Sequence, residues 1–274
     1  MKTTIRKTLI RSGVLLVGTA GVLALWQTVY LGGTAKTIEG TPHTLQTQPG
    51  VPAGHEELIA TALQDAQKYF QDVLKTEVPQ PVRVQLASIS PCVPLQALGQ
   101  PATAVANKNS ICINSTRSLW KKVLKNEPTL GLTIVAHEHF HNLQGQLGCL
   151  PKGNAHEYRW WVEGTATYVG WQTEVHAGRV TPDEVEQEMR SWGAMRPDLK
   201  PLKAYETSMP GDPEYALAYR AVDRLVKRAG AASLGQFCQQ VGQKLPWKTA
   251  FEKAFGVSVE DFYQRFEADR KTHF

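Results

Sequence analysis

The chain has 274 residues, of which 42% are hydrophobic and 20% are charged, and its formal net charge is +5 at pH 7. This length and apolar content suit one domain with a sizeable core. No stripe of basic residues with interleaved aromatic residues occurs, so the composition disfavours a nucleic-acid partner.

The first predicted element is a targeting segment at residues 1–31. An uncharged run of roughly 19 residues is nearly long enough to span a bilayer. The basic residues before it predict a cytoplasmic amino terminus, and they account for most of the net charge: Lys2, Arg6, Lys7 and Arg11. We expect a single-pass signal anchor with an extracytoplasmic domain, and the alternative is secretion after cleavage near residues 33–35. Residues 32–54 lack periodicity and predict a linker.

Residues 55–274 are predicted to form a single domain that opens with a helix and several strands. Apolar residues fall on one helical face between His55 and Thr76, and residues 82–89 alternate like a strand. Residues 104–106 and 111–113 flank a polar turn and predict a β-hairpin. A hairpin strand at a sheet edge can pair with an extended peptide, but the same residues could also simply complete a sheet.

Residues 137–141, with the sequence His-Glu-His-Phe-His, carry the most chemical information in the chain. Apolar residues at helical spacing around them predict an amphipathic helix. His137 and His141 then lie one turn apart on one face, so both imidazoles can reach a single metal ion. Glu138 follows His137 by about 100°, which places its carboxylate where it can take a proton from an activated water. His139 falls on the apolar stripe and predicts a packed structural residue.

The residues after this motif exclude one type of metal site, that of the metzincins, and predict where the helix ends. A metzincin site would need Gly at position 144 and His at position 147, where this chain has Gln144 and Leu147. Gly145 predicts the C-terminal stop of the helix. Two surface histidines beside a charge are the alternative interpretation of the motif.

A second predicted helix carries a candidate third ligand, Glu163. Asn154 and Glu157 resemble a capping box at its start. Glu163 lies in an aromatic, apolar stretch, where an unpaired carboxylate is costly and a metal would remove that cost. The alternative is pairing of Glu163 with an arginine or a tyrosine. A glycine such as Gly164 in a helix interior costs about 1 kcal/mol of stability relative to alanine. We therefore expect a compensating close approach of Gly164 to the helix of His137.

These residues together resemble the gluzincin clan of zinc metallopeptidases, especially small bacterial members with a peptidase MA-like domain. The resemblance is carried by His137-Glu138-x-x-His141 and by Trp160-x-x-Glu163-Gly164-x-Ala166-x-Tyr168. It implies an α+β, zincin-like domain with a small mixed sheet, an active-site helix and a mostly helical C-terminal half. It also implies one Zn²⁺ ion held by His137, His141 and Glu163, with Glu138 as general base.

The same resemblance implies a catalytic tyrosine later in the chain. A gluzincin tyrosine in this region can hydrogen-bond the tetrahedral intermediate, and Tyr215 matches it best. Tyr219 is a competitor for this role, and a tyrosine that only packs in the core is the alternative.

The chain departs from the clan's patterns at two places. Thr167 stands where some families have an aspartate that orients the histidine ligands. No Gly-x-Met-Glu-Asn segment occurs, of the kind that aminopeptidases use to hold a substrate amino terminus. This absence favours an endopeptidase.

The remaining predictions concern the C-terminal half and the cysteines. We expect mostly helix after residue 180, with a Pro-rich loop at 195–213 that borders the cleft. A basic cluster in this half is more typical of a solvated helix face: Arg220, Arg224, Lys227 and Arg228. The four cysteines lack C-x-x-C spacing, so no zinc finger is indicated. We prefer the pairing Cys92–Cys112 with Cys149–Cys238, and buried free thiols are the alternative.

The sequence therefore predicts a membrane-anchored zinc endopeptidase that acts on a protein or peptide outside the cytoplasmic membrane. Two alternatives are a zinc hydrolase of a non-peptide envelope substrate and a binding module on an inactive zincin scaffold. The intact Glu138 argues against the second. A purely structural zinc site is disfavoured because such sites use four protein ligands, mostly cysteine. The sequence does not predict the oligomeric state.

Overall fold

A computed structural model describes residues 34–51, 54–87, 103–115, 117–151 and 157–273. These residues form a five-stranded mixed sheet followed by a mostly helical C-terminal half. The predicted α+β, zincin-like fold class is confirmed.

The sheet is built from short strands at its edges and longer ones at its centre. The strands are β1 (Lys36–Thr37), β2 (Thr44–Thr47), β3 (Arg83–Ala87), β4 (Ala104–Ala106) and β5 (Ser110–Asn114). Their order is β1-β2-β3-β5-β4, with β2, β3 and β5 parallel and the two edge strands antiparallel. The predicted hairpin is confirmed as β4–β5, and the predicted strand 82–89 corresponds to β3, with residues 88 and 89 outside the described ranges.

The linker predicted at residues 32–54 is wrong where the structure describes it. β1 and β2 lie within these residues, and β2 pairs in parallel with β3. Leu45 of β2 is buried and lies opposite Val84. A strand of four residues contains too few alternations to show a period of two, so the pattern does not reveal it.

The helices account for most of the remaining chain. They are α1 (His55–Tyr69), α2 (Ser118–Asn126), α3 (Pro128–Leu147), α4 (Arg159–His176), α5 (Pro182–Ala194), α6 (Asp212–Ala229), α7 (Ala232–Gly242), α8 (Trp247–Phe255) and α9 (Val259–His273). A π-helical turn, Phe70–Leu74, continues α1. In the part of the chain that the structure describes, none of the helices is long and apolar enough to cross a membrane. The predicted anchor at residues 1–31 lies outside that part.

Helix α3 packs against α1, α4 and the hairpin, and it ends later than predicted. It begins with Pro128, whose fixed φ suits a first helical turn. It ends at Gly148, which has φ +90° and donates its N–H to the carbonyl of Gln144 at 3.0 Å. The stop predicted at Gly145 is therefore wrong. Gly145 instead permits a close approach, because a Cβ there would lie 2.9 Å from the Cα of Lys108 in the hairpin turn.

Helix α4 lies between α3 and α6, and small residues allow α4 to approach each of these two helices closely. A Cβ on Gly164 would lie 2.8 Å from the Cβ of Ala218 in α6. The predicted approach of Gly164 to the helix of His137 is therefore wrong. Gly170 makes that approach instead, since a Cβ there would lie 2.8 Å from the carbonyl oxygen of Thr133 in α3.

A disulfide bond joins the end of α3 to α7. Cys149 and Cys238 are bonded across a sequence separation of 89 residues, which confirms one predicted pair. Cys112 is also disulfide-bonded, and Cys92, its predicted partner, lies outside the described residues.

Candidate metal centre

The three predicted ligands meet between α3 and α4. The Nε2 atoms of His137 and His141 lie 3.0 Å apart, since the two residues are one turn apart on α3. The Oε2 atom of Glu163 on α4 lies 3.3 Å from the Nε2 of His137 and 3.4 Å from that of His141. The structure thus brings two sequence-distant motifs to one point.

The donor set and its spacing fit a zinc ion. Zinc sites commonly have Zn–N and Zn–O distances of about 2.0 to 2.2 Å and tetrahedral angles, which put donor atoms about 3.3 to 3.5 Å apart. The three separations here, from 3.0 to 3.4 Å, are close to that range. Two imidazoles and one carboxylate are also the protein ligands of many catalytic zinc sites, which keep a fourth position for water or substrate.

The second oxygen of Glu163 pairs with Arg159, which was not predicted to be part of the site. Arg159 forms an ion pair with Glu163, in which Nη2 lies 2.6 Å from Oε1. Both interpretations of Glu163 therefore apply, because one oxygen pairs with an arginine and the other faces the histidines. Burial raises the pKa of Glu163, but the imidazoles of His141 and His137 lower it more. The pKa of Glu163 therefore lies well below its ordinary value. The i, i+4 spacing of Arg159 and Glu163 was the available sequence signal.

Helix α4 also starts later than the capping-box interpretation implies. It begins at Arg159, so Glu163 lies about one turn inside the helix rather than more than two. Asn154 lies outside the described residues, so its predicted cap is not tested.

Each of the two histidines has a partner on its other ring nitrogen. The Nδ1 of His141 lies 2.6 Å from the Oε1 of Gln144, which is fully buried. The Nδ1 of His137 lies 3.4 Å from the hydroxyl of Thr167, which itself donates to the carbonyl of Glu163 at 2.8 Å. Such contacts set the ring orientation that a metal requires. Thr167 thus contacts His137, although it is not the aspartate that some gluzincin families have at this position.

Glu138 lies next to the ligands at the wall of a large cavity. The cavity has a volume of about 890 Å³, and both His137 and Glu138 line it. Burial raises the pKa of Glu138, and the charges of the two histidines partly oppose this. A carboxylate with a raised pKa is suited to accept and then return a proton near neutral pH.

The two candidate tyrosines have different positions. Tyr215 of α6 lines the cavity, and its ring centroid lies 6.2 Å from that of His137. Burial, followed by the charge of Glu163, raises the pKa of Tyr215 well above its ordinary value, so its hydroxyl stays a hydrogen-bond donor. Tyr219 packs on Tyr168 and accepts a hydrogen bond from Gln172 at 3.0 Å. Of the two tyrosines, Tyr215 is therefore the one that faces the cavity beside the metal centre.

His139 has the packed position that was predicted for it. Its side chain is fully buried, its ring stacks on Phe70 at 5.3 Å, and its Nδ1 lies 3.2 Å from the Oδ1 of Asn142. Burial lowers the pKa of His139 to about 3. It is a neutral core residue and takes no part in the metal centre.

The cavity continues past the metal centre as an open groove. Its lining includes Thr103, directly before the edge strand β4, and the aromatic residues Trp171 and Trp192 of α4 and α5. Met195 and Asp212, near the two ends of the Pro-rich loop, also line it, so this loop borders the cleft as predicted.

The comparisons with known proteins concern the fold alone. No protein-family model matches the sequence, and a search of curated proteins finds no relative. The M1 zinc metallopeptidase from Deinococcus radiodurans is similar in structure, with a TM-score of 0.51 and 18% identity over 86% of this chain and 50% of its own. The fold is zincin-like.

Two further solved structures share the zincin-like fold. Yeast LTA4 hydrolase in complex with bestatin has a TM-score of 0.53 and 11% identity over 87% of this chain and 37% of its own. Legionella pneumophila aminopeptidase A in complex with aspartic acid has a TM-score of 0.51 and 11% identity over 82% of this chain and 26% of its own. The chain thus spans half or less of the length of these proteins.

Proposed function

We propose that this protein is a zinc-dependent endopeptidase that hydrolyses peptide bonds outside the cytoplasmic membrane. The observation that carries the proposal is the convergence of His137, His141 and Glu163 at a groove that is lined by His137 and Glu138. The similarity in fold to zinc metallopeptidases supports it.

The residues of the groove have distinct proposed roles. His137, His141 and Glu163 would hold one Zn²⁺ ion, which supplies Lewis-acid chemistry and lowers the pKa of water to about 7. Glu138 would accept the proton of the attacking water and pass it to the leaving amine, as its raised pKa allows. Tyr215 would donate its O–H to the developing oxyanion.

The shape of the groove supports a polypeptide substrate. β4 forms an edge of the sheet, and an extended peptide can add to such an edge through main-chain hydrogen bonds. The sequence also lacks a Gly-x-Met-Glu-Asn segment of the kind that aminopeptidases use to hold a substrate amino terminus. We therefore propose cleavage within a chain rather than removal of its first residue.

The proposed location depends on the targeting segment and on the cysteines. The segment at residues 1–31 has the charge asymmetry of a signal anchor. The disulfide between Cys149 and Cys238 supports an oxidising compartment outside the cytoplasm. Fractionation of cells, with sequencing of the mature amino terminus, would separate an anchored protein from a secreted one and from a cytoplasmic one.

The test of the activity is mass-spectrometric mapping of cuts in a diverse peptide pool. The full-length protein with zinc is compared with the chelated protein and with the Glu138→Gln variant, which keeps the ligands. We expect internal cuts that are confined to the zinc-loaded wild type. Full activity of Glu138→Gln would show that the mechanism is wrong.

The pattern of cuts also separates the alternatives. Removal of single residues from amino termini would indicate an aminopeptidase. No cuts by a protein that binds one zinc ion would contradict a general endopeptidase and would favour the non-peptide hydrolase or the binding module.

A further inference from the structure

The groove at the metal centre has an apolar lining in addition to the residues with proposed chemistry. In the part of the chain that the structure describes, two large apolar residues are exposed, Leu119 at 41% and Met195 at 59%, and both line this groove. They belong to separate elements, since Leu119 lies in α2 and Met195 directly follows α5. Half-buried apolar residues continue the same lining: Leu130, Ile134, Val180 and Trp192. Exposed apolar residues that gather at one cleft are typical of a surface that contacts a ligand.

The same groove carries more negative than positive charge. Outside the metal centre, four carboxylates line it, and they belong to Glu127, Glu184, Glu188 and Asp212. Lys122 is the one basic residue of this described lining, and it pairs with Glu127 at 2.8 Å. Among the residues that the structure describes, no lysine or arginine forms an ion pair with Glu184, Glu188 or Asp212.

Neighbouring basic residues do not remove this excess. Four carboxylates against one ammonium group leave three negative charges, even though Glu188, after the larger effect of Glu127, also raises the pKa of Lys122. The basic residues of α6 do not line the groove. Arg220 instead pairs with Glu186 at 2.9 Å, and its side chain is only 13% exposed, so the predicted solvated face is wrong for this residue.

A loaded metal centre would offset one of these three charges. Zn²⁺ and Arg159 together would carry three positive charges, and Glu138 and Glu163 together carry two negative charges. The groove would therefore keep an excess of negative charge in the zinc-loaded protein. A cleft with apolar walls and one sign of charge concentrates substrates of the opposite charge.

Glu188 is held beside an aromatic ring of the groove. The indole N–H of Trp192, one turn later on α5, donates to the Oε1 of Glu188 at 2.7 Å. Trp192 in turn packs edge-on against Trp171 of α4, with ring centroids 6.3 Å apart. All three residues line the groove. A fixed carboxylate beside an aromatic ring suits a lysine or arginine side chain, whose charged end pairs with the carboxylate while its methylene stem covers the ring.

We propose that the groove selects basic, apolar peptide segments. A lysine or arginine of the substrate binds at Glu188 and Trp192, and a large apolar residue lies against Leu119 or Met195. This inference rests on the proposed peptidase function and names its substrate class. Charge complementarity identifies the occupant, because an apolar segment with acidic residues would meet carboxylates that have no basic partner.

Fluorescence anisotropy on the full-length, zinc-free protein tests this proposal without hydrolysis. The probes are four labelled octapeptides that alternate leucine with lysine, leucine with glutamine, leucine with glutamate, and serine with lysine. We expect the leucine-lysine peptide to bind at least about tenfold more tightly than each of the other three. Its advantage over the leucine-glutamine peptide should shrink in high salt, because salt screens the charges.

Substitutions of single carboxylates locate the charge effect. Glu188→Gln should reduce the preference for lysine over glutamine by about fivefold or more, since the amide can still accept the indole N–H and only the charge is lost. Asp212→Asn, at the exposed start of α6, should act in the same direction. Asp183→Asn is the matched control and should keep the wild-type preference, because Asp183 is exposed on α5 and does not line the groove.

Leu119→Ser and Met195→Ser test the apolar contacts. Both residues are exposed, so their replacement leaves the core intact. Each variant should bind the leucine-lysine peptide about threefold or more weakly than wild type, because apolar contact area is lost. Binding of the serine-lysine peptide should not change.

Three results would overturn the inference. The first is equal affinity for the lysine, glutamine and glutamate peptides, or no saturable binding of the leucine-lysine peptide. The second is an unchanged preference for lysine in both Glu188→Gln and Asp212→Asn. The third is a dimer of the peptide-free protein, seen by sedimentation, that Met195→Ser dissociates, which would assign the apolar lining to a second copy of this chain.

These results are independent of the test of the endopeptidase. Binding without a preference for lysine, by a protein that cuts peptides when loaded with zinc, would contradict this inference alone. A preference for the leucine-lysine peptide in a protein that cuts no peptide would contradict the endopeptidase alone.

Discussion

The ring of His141 is held by Gln144, whose Oε1 lies 2.6 Å from Nδ1. Gln144 in turn donates from Nε2 to the carbonyl of Val162 at 3.0 Å and to the hydroxyl of Thr165 at 2.9 Å. One buried amide on α3 therefore connects a predicted zinc ligand to the backbone of α4, which carries Glu163. The relative positions of the ligands from the two helices depend on this amide.

We expect Gln144→Met to lower zinc affinity by about 10- to 100-fold, because the side chain keeps its size but loses its acceptor and donors. Competition with a chromophoric chelator measures the change. Gln146→Met is the matched control, since Gln146 on the same helix bonds the carbonyls of Gln80 and Lys108 and contacts no ligand. Equal zinc affinity of Gln144→Met and wild type would contradict the orienting role.

Tyr215→Phe should lower kcat by about 100-fold with little change in KM, because the donor to the developing oxyanion is lost. Steady-state kinetics on a peptide found by cleavage mapping measure the effect. Tyr219→Phe should remain near wild type, since the hydroxyl of Tyr219 accepts from Gln172 and does not line the groove. The reverse pattern would assign the role to Tyr219.

Gly164→Ala should destabilise the fold by about 1 to 3 kcal/mol, because the added methyl group would lie 2.8 Å from Ala218. Chemical denaturation measures the free energy of unfolding. Gly193→Ala on α5 is the control, since a Cβ there meets nothing within 4 Å. It should leave stability unchanged or raise it by up to about 1 kcal/mol. Wild-type stability of Gly164→Ala would show that α4 and α6 separate easily.

Acid should destabilise the protein by protonating His43, a buried core residue that packs against His139 of α3. Its side chain is fully buried, its Nδ1 accepts from the N–H of Val82 at 3.1 Å, and its ring meets that of His139 at 4.8 Å. Burial lowers the pKa of His43 to about 4, and the nearby side chain of Gln67 partly opposes this. The unfolded chain, with a pKa near 6.5, takes up a proton that the folded chain excludes.

The stability contributed by neutral His43 is thus complete above pH of about 6.5 and is lost as the pH falls towards about 4, by about 3 kcal/mol at most. Urea unfolding across this range measures it. His43→Asn keeps an acceptor for Val82 but cannot titrate, so its unfolding free energy should fall less steeply with pH. Parallel curves for the two proteins would contradict the prediction, since His139 titrates in both.

The local patterns of the chain predicted those features that depend on neighbours in sequence. The i, i+4 spacing placed His137 and His141 on one face, and alternation around a polar turn predicted the β4–β5 hairpin. β2 was not predicted because a short strand shows little alternation of polar and apolar residues. It is stabilised by pairing with β3. The close approach expected at Gly164 occurs, but its partner, Ala218, is distant in the chain, and Gly145 approaches the equally distant Lys108 instead of ending the helix.

By itself the sequence predicted the donor groups, because two histidines one helical turn apart and a carboxylate in an apolar helix are typical of catalytic zinc sites. The tertiary structure alone decided that the Oε2 of Glu163 meets both histidines while Arg159 binds Oε1. It also decided that Gln144 orients His141 and that Leu119 and Met195 line one groove. Such contacts depend on how helices pack, and packing is set by the shapes of many side chains at once. A local periodicity in the sequence carries no information about how these shapes fit together.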